Sequence, residues 1–305
     1  MSFTGTVKSE ISKKKSSKAE YIAELSALFR NLAEIRDTIK LTTENPVLAR
    51  RIFELLKSLY DIHASLTVRR GYNFSKNYIY ILEIRRRKDF ILEDLSIMKN
   101  NQYQNIPNDY LIDDDTTMKA YLRGVFLAVG SINDPKTSRY HLELVVDQVE
   151  YANFINELLN QYELNCKVLK RENKYMVYIK EAEKISDFLR LMGASNAVLY
   201  YEEIRVLRNQ KNNTNRLNNC EQANVDKMIE TATHQIEDIK KLENEGLLDV
   251  LDEKLQVVCL YRKKYPDVSL KELSEIITLE TGHKISKSGI YHRLNKIHDL
   301  AIKIK

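Results

Sequence analysis

AYLRGVFLAVG, residues 120–130, opens a helix, and the chain beyond it continues as a strand over Tyr140–Val146 (YHLELVV), a helix over Val149–Tyr162, a hairpin over Asn165–Ile179 and a helix over Ala182–Met192. The same order is legible earlier. Tyr21 or Ile22, Leu25, Leu28 or Phe29 and Leu32 recur every three or four positions over residues 19–33, the spacing of one helical face. Asn45 and Pro46 form an N-cap and first-turn pair for a second helix carrying Val47, Ile52, Phe53, Leu55, Leu56 and Leu59. Residues 64–85 are rich in β-branched and aromatic types around Gly71-Tyr72-Asn73 and Ser75–Asn77, which predicts a hairpin; a short helix follows at about 88–98. The two halves also match in sequence: Ala23, Leu25 and Phe29 stand 97 positions before Ala120, Leu122 and Phe126, and Glu54-Leu55-Leu56 stands 103 before Glu157-Leu158-Leu159. A duplicated α/β unit with two antiparallel sheets accounts for both offsets, the difference being a modest loop insertion.

The predicted class is therefore α+β, with a first repeat at 1–98, a polar and acidic linker at 99–115 and a second repeat at 116–208. A second linker at 209–222, centred on QKNNTNRLNN, is asparagine-rich, a composition that cannot bury a core. Its amides either fix the angle between domains or touch phosphate. An all-helical domain at 223–305 follows, with one helix from about Ala223 to Leu242, carrying Val225, Ile229, Ala232, Ile236 and Ile239 on one side and stopped by Gly246. Another covers Glu253–Lys264 and is ended by Pro266.

Composition excludes whole classes of protein. The chain has 305 residues, 43% hydrophobic and 30% charged, with only 8 Gly and 4 Pro, so low-complexity and broadly disordered readings fail. Lysine and arginine outnumber acids by 48 to 43, a net +5, so any nucleic-acid footprint must be local. No apolar run approaches a membrane span and no apolar h-region follows the N-terminal cations, so a cytoplasmic location is expected. Cys166, Cys220 and Cys259 lie too far apart in sequence for a CxxC pair and read as buried thiols. The six histidines form no HExxH or HxxxH, no group has zinc spacing, and no GxGxxG or GxxxxGK[ST] is present, so neither metal nor cofactor is expected.

The last helices carry the chemistry. Ser269-Leu270-Lys271-Glu272 is a capping box that starts a helix with Leu270, Leu273 and Ile277 inward, ending before a polar connection, Thr278–Lys284, that contains Gly282. Ser286 or its neighbour caps a second helix whose inward residues are Ile290, Leu294, Ile297 and Ala301. At about 100° per residue, Ser288, His292, Asn295 and Lys296 fall on the opposite face, flanked by Lys287, Tyr291 and Arg293. From Gly282 to Lys305 six Lys or Arg stand against one acid, Asp299. This pattern suits a recognition helix whose small polar side chains reach base edges while its cations neutralise phosphates; a solvated surface face is the alternative.

The stretches LRGVFLAVGSINDPKTSRYHLEL (Leu122–Leu144), TNRLNNCEQAN (Thr214–Asn224), SLKELSEI (Ser269–Ile276) and ISKSGIYHRLNKI (Ile285–Ile297), with SFTGTVKSEIS at the start, resemble the WhiA family of bacterial regulators. The resemblance implies a duplicated domain similar to LAGLIDADG homing endonucleases, in two αββαββα-type repeats, joined to a helix-turn-helix domain similar to region four of sigma factors. It also implies transcription control in sporulation, or in cell division and chromosome segregation, with double-stranded DNA as partner, nucleoid association, and no small-molecule substrate. A WhiB-type iron-sulfur co-regulator is implied in actinobacterial relatives.

In such nucleases the last acid of each LAGLIDADG helix binds the divalent ion that activates water. Laid on that pattern, LRGVFLAVG puts Val129 at the acid position and LSALFRNLA puts Leu32 there, so neither holds a metal and no catalytic residue is expected. Glu34, two positions past Leu32, would project about 200° away if the helix continued. The nuclease fold's saddle of antiparallel sheets nominates Arg69, Arg70, Lys76 and Arg85, Arg86, Arg87 and Lys88 in one copy and Lys167, Lys170, Arg171 and Lys174 in the other as DNA contacts; a solvated edge that blocks strand aggregation is the alternative. The expected function is a non-enzymatic DNA-binding regulator. A DNA-free scaffold of cell division and a functioning endonuclease are the rivals.

Overall fold

A computed structural model describes residues 2–70, 78–137 and 139–304, and its contacts divide the chain into two units, residues 1–208 and 209–305. The turn predicted at Gly71–Asn77, with Lys76, lies outside the described residues.

The first unit opens with α1 (Phe3–Ile11), capped by the Ser2 hydroxyl, which buries Phe3, Val7 and Ile11 at four-residue spacing. A first repeat follows: α2 (Lys18–Leu32), β1 (Ala33–Ile35), β2 (Ile39–Thr43), α3 (Pro46–Tyr60), β3 (Ser65–Arg70), β4 (Tyr78–Ile84) and α4 (Lys88–Asp94). After a small hairpin, β5 (Met98–Lys99) and β6 (Gln102–Tyr103), the order returns as α5 (Asp115–Val129), β7 (Gly130–Ile132), β8 (Leu142–Val146), α6 (Val149–Asn160), β9 (Lys167–Arg171), β10 (Lys174–Ile179) and α7 (Ala182–Met192). The strands form two four-stranded antiparallel sheets, ordered β1-β2-β4-β3 and β7-β8-β10-β9. The class is mixed α and β with the repeat order that the sequence predicts.

The two motif helices start alike and pack together. Ser17 with Glu20 and Asp114 with Thr117 each close a capping box. Residues 23–29 of α2 and 120–127 of α5 are buried without interruption, so these helices are enclosed on all sides. Contact is backbone-close at Gly124, where an added Cβ would stand 2.4 Å from the Glu24 carbonyl oxygen and 2.8 Å from the Ala27 Cβ. Beside it the Glu24 carboxylate, fully buried, accepts from Arg51 (Nε to Oε1, 2.8 Å) and Arg123 (Nε to Oε2, 2.9 Å), which ties α2, α3 and α5.

Several elements differ from the sequence reading. The αββαββα repeat that the resemblance implies includes strands after its first helix, but the residue pattern alone does not place β1 and β2, which are three and five residues long. Residues 99–115 are less of a free linker than expected: Leu111 is buried, and Arg30 donates to the carbonyls of Gln104 and Ser96 (2.8 Å for the latter). The predicted linker at 209–222 is helical, within α8 (Ser195–Asn244), which runs for 50 residues and begins well before the expected Ala223. Asparagine costs at most about 0.7 kcal/mol per residue against alanine, and the segment between Gly193 and Gly246 holds no glycine or proline to break it. Cys166 and Cys259 are buried, their thiols pushed up by desolvation to about 12 and about 11, whereas Cys220 is exposed, against expectation.

In the second unit α8 ends at Gly246, in the left-handed region, whose amide donates to the Glu243 carbonyl. Then come α9 (Glu253–Lys264), α10 (Leu270–Thr281) and α11 (Lys287–Lys303). Their core joins Ile239 and Leu242 of α8 to Leu255, Val258, Leu273, Ile277 and the inner stripe of α11.

Candidate nucleic-acid interface

The Ser269 hydroxyl accepts from the Glu272 amide (3.3 Å) while the Glu272 carboxylate accepts from the Ser269 amide (2.8 Å), bonds that hold that carboxyl below the usual range. Arg262 of α9, buried, donates to the Val268 carbonyl (2.7 Å) and to Gln235 of α8 (2.9 Å), fixing the approach to α10; burial lowers its pKa. α10 runs to Thr281, four residues further than the predicted connection allowed. Gly282 ends it at φ 73°, and only residues 282–286 separate it from α11. The Thr278 hydroxyl accepts from the Ile285 amide (3.2 Å), which folds the connection back onto α10.

α11 is capped by Ser286, whose hydroxyl accepts from the Gly289 amide at 3.1 Å. Ile290, Leu294, Ile297 and Ala301 are all buried, the stripe that the spacing predicts. His298 meets Asp238 of α8 at 2.7 Å and secures the helix from the side. Of the predicted contact residues, Lys287, Ser288, Tyr291, His292, Asn295 and Lys296 are exposed, and Arg293 is half-buried at the margin of the face. Ser288 meets the Ser286 hydroxyl at 3.0 Å and the Tyr291 ring lies beside His292; the polar groups of Lys287, His292, Arg293, Asn295 and Lys296 make no bond within the described residues. Helix, cap and stripe thus place polar and cationic groups together, with donors and acceptors unspent.

The sheets sort the other candidates by strand alternation. Leu66 pairs with the buried Leu82, so Val68 and Arg70 share the helix-covered side while Arg69 points to the other. Val168 pairs with the buried Val177, which likewise puts Lys170 on the covered side and Lys167 and Arg171 on the open one. Arg70 and Lys170 therefore do not share the open face with Arg69 and Arg171. Arg85 pairs with Glu83 at 2.9 Å; Arg86 is exposed; Arg87 donates to the Tyr60 carbonyl and stacks on Phe90; Lys88 donates to the Arg36 carbonyl. Lys40, missed in the sequence because β2 was missed, joins the open face through its pairing with Glu34 and Glu83. With Glu143 also there, the face has mixed charge.

At the C-terminal ends of α2 and α5 lies a cleft of about 390 Å³, lined by Val129, Arg30, Asn31, Tyr151, Asp147 and Lys174. Val129 contributes hydrocarbon at the position where the nuclease pattern has its acid, and Leu32 packs half-buried against the core. Asp147 is paired with Lys174 at 3.2 Å. α2 stops at Leu32, so Glu34 belongs to β1, where it pairs with Arg36 at 2.6 Å; the 200° helical argument against it does not apply. Among the described residues no group of three or more His, Cys, Asp or Glu gathers at one place, and no helix is long and apolar enough to cross a membrane.

Three family models match in chain order: the WhiA N-terminal LAGLIDADG-like domain over residues 18–98, the WhiA LAGLIDADG-like domain over 118–211, and the WhiA C-terminal HTH domain over 214–301. In solved structures the chain is similar to full-length WhiA from Thermatoga maritima, with a TM-score of 0.61 at 23% identity over 100% of this chain and 99% of that one. The N-terminal LAGLIDADG domain of WhiA gives 0.50 at 22% identity over 63% of this chain and 92% of that one. Among curated proteins, a probable cell division protein WhiA from Lactiplantibacillus plantarum is 44% identical over 99% of this chain and 98% of its own length. The one from Ligilactobacillus salivarius is 42% identical over 100% and 98%. Two repeated units, a helix-turn-helix domain and full-length relatives at this identity agree: the chain belongs to the WhiA family.

Proposed function

We propose that the chain is a DNA-binding transcription regulator of cell division and chromosome segregation, of the kind that serves sporulation in some relatives, working in the cytoplasm at the nucleoid. The observation that carries this reading is α11: its apolar stripe is spent on the core, and Lys287, His292, Asn295 and Lys296 stand exposed and unbonded on the other side. Such a face can reach base edges and phosphates at once. The relatives are named probable cell division proteins, which supports the cellular role.

The endonuclease-like unit serves as support or as a surface for a protein co-regulator rather than as a nuclease, since Val129 and Leu32 offer no ligand atoms to a divalent ion. Arg69 and Arg171 remain candidates for non-specific backbone contact, tempered by Glu34, Glu83 and Glu143 on the same face. Mapping of bound DNA across the genome at physiological salt tests the reading: the wild-type chain enriches a defined sequence, and a chain carrying His292→Ala and Asn295→Ala loses that enrichment. Identical maps would overturn it.

A further inference from the structure

Residues 209–227 of α8 are helical throughout, and every one of them is exposed. Within the described residues, the side-chain amides of Asn209, Asn212, Asn213, Asn215, Asn218 and Asn219 make no hydrogen bond, so they brace nothing in the chain itself. A helix this poor in propensity that buries none of its surface is not built for its own stability. Its pattern points elsewhere. Asn209, Asn213, Arg216, Cys220, Asn224 and Lys227 follow one another at steps of four, three, four, four and three, which keeps them within about 60° of a single line. Glu221 and Asp226, the two acids of the segment, fall about 100° or more from that line, and Asp226 is occupied by Gln222 at 2.8 Å. Leu217 and Val225 also lie off it.

We infer that this amide-and-cation face of α8 binds the sugar-phosphate backbone of duplex DNA as a second contact beside α11. Amide N–H groups donate to phosphate oxygens, and Arg216 and Lys227 supply the charge; contacts of this kind position a protein without reading sequence. At about 1.5 Å per residue the face extends roughly 27 Å, long enough to follow several phosphates. A protein partner is disfavoured by the same residues, because the line carries no aromatic or large apolar side chain to fill a pocket.

The inference rests on the DNA-binding reading above, and the test separates the two. Full-length chain carrying Asn209→Ala, Asn213→Ala and Asn224→Ala together is titrated with a duplex bearing a mapped site, with helix content followed by circular dichroism. Alanine strengthens the helix, so a mere spacer would bind as well as wild type or better; a DNA-contacting face loses affinity about 10- to 100-fold with helix content kept. Arg216→Gln lowers the salt-dependence slope by about one unit. Cys220, the exposed thiol of the three cysteines, is the built-in reporter: duplex slows its alkylation. Unchanged affinity in the triple variant together with unchanged alkylation overturns the inference while leaving α11 as the DNA reader. A wild-type chain that binds no duplex overturns both.

Discussion

Two charged groups show how single residues set the balance of the first unit. Glu24 faces two guanidiniums, and although burial alone disfavours the Arg51 cation, the carboxylate beside it raises that pKa. Removing the shared partner would leave Arg51 and Arg123 buried against each other. Glu24→Ala should cost about 3–5 kcal/mol, read as a lowered urea midpoint; an unmoved midpoint would show that the triad contributes no net stability. Lys8 of α1 is the opposite case, a half-buried side chain whose ammonium lies over the Phe126 ring at 5.6 Å and whose pKa desolvation pushes down to about 8. The unfolded chain then binds more protons between pH 8 and the ordinary lysine value near 10.4, so this group makes stability rise with pH across that window. Below pH 8 both states are protonated and its full penalty is present. Lys8→Met should stabilise the fold at pH 7 by about 1–2 kcal/mol and flatten the rise above pH 8, both measurable by thermal melts over a pH series.

Secondary elements were legible where one periodicity ran long enough to outvote chance. α11 could be read from a stripe of four apolar residues and a serine cap, and α7 and α9 have the predicted bounds. β1 escaped because three residues cannot establish an alternation, and α1 because its stripe is only Phe3, Val7 and Ile11. The α8 segment was misjudged for a different reason: asparagine composition argues against a core but not against a helix. The resemblance implies that α2 and α5 pack as a pair, but the residue that sets their close approach was not legible, since a glycine inside a helical motif does not announce what faces it. Gly124→Ala should destabilise by about 1–3 kcal/mol, because the atom it adds meets backbone that cannot swing aside; the denaturation midpoint checks it. For α11 the burial pattern separates two kinds of variant. Arg293→Ala or Lys296→Ala should weaken binding to all duplexes and reduce the salt slope by about one unit, whereas His292→Ala or Asn295→Ala should change preference between sites by about 1–3 kcal/mol per lost base contact. Four variants with one shared phenotype in competition binding would sink that division.

Across the whole molecule, the duplication retains the layout of a nuclease-like unit while its side chains suit packing. The two motif helices end in Leu32 and Val129, the nearby cleft carries Arg30 and Lys174, and the one carboxylate among its described lining residues, Asp147, is already paired. A divalent ion needs negatively charged oxygen donors, and here the local balance favours cations, which would repel it. The second unit forms its core from its own helices, so duplex binding through it should not depend on Val129 or Leu32. Binding and cutting should therefore come apart in one experiment. Incubated with supercoiled plasmid and millimolar magnesium or manganese, the full-length chain should shift the plasmid on a gel without converting it to nicked or linear forms over hours. Conversion that needs the metal, persists through purification and disappears in a chain altered at Asp147 would show that the cleft still performs phosphodiester chemistry by a route that Val129 and Leu32 do not block.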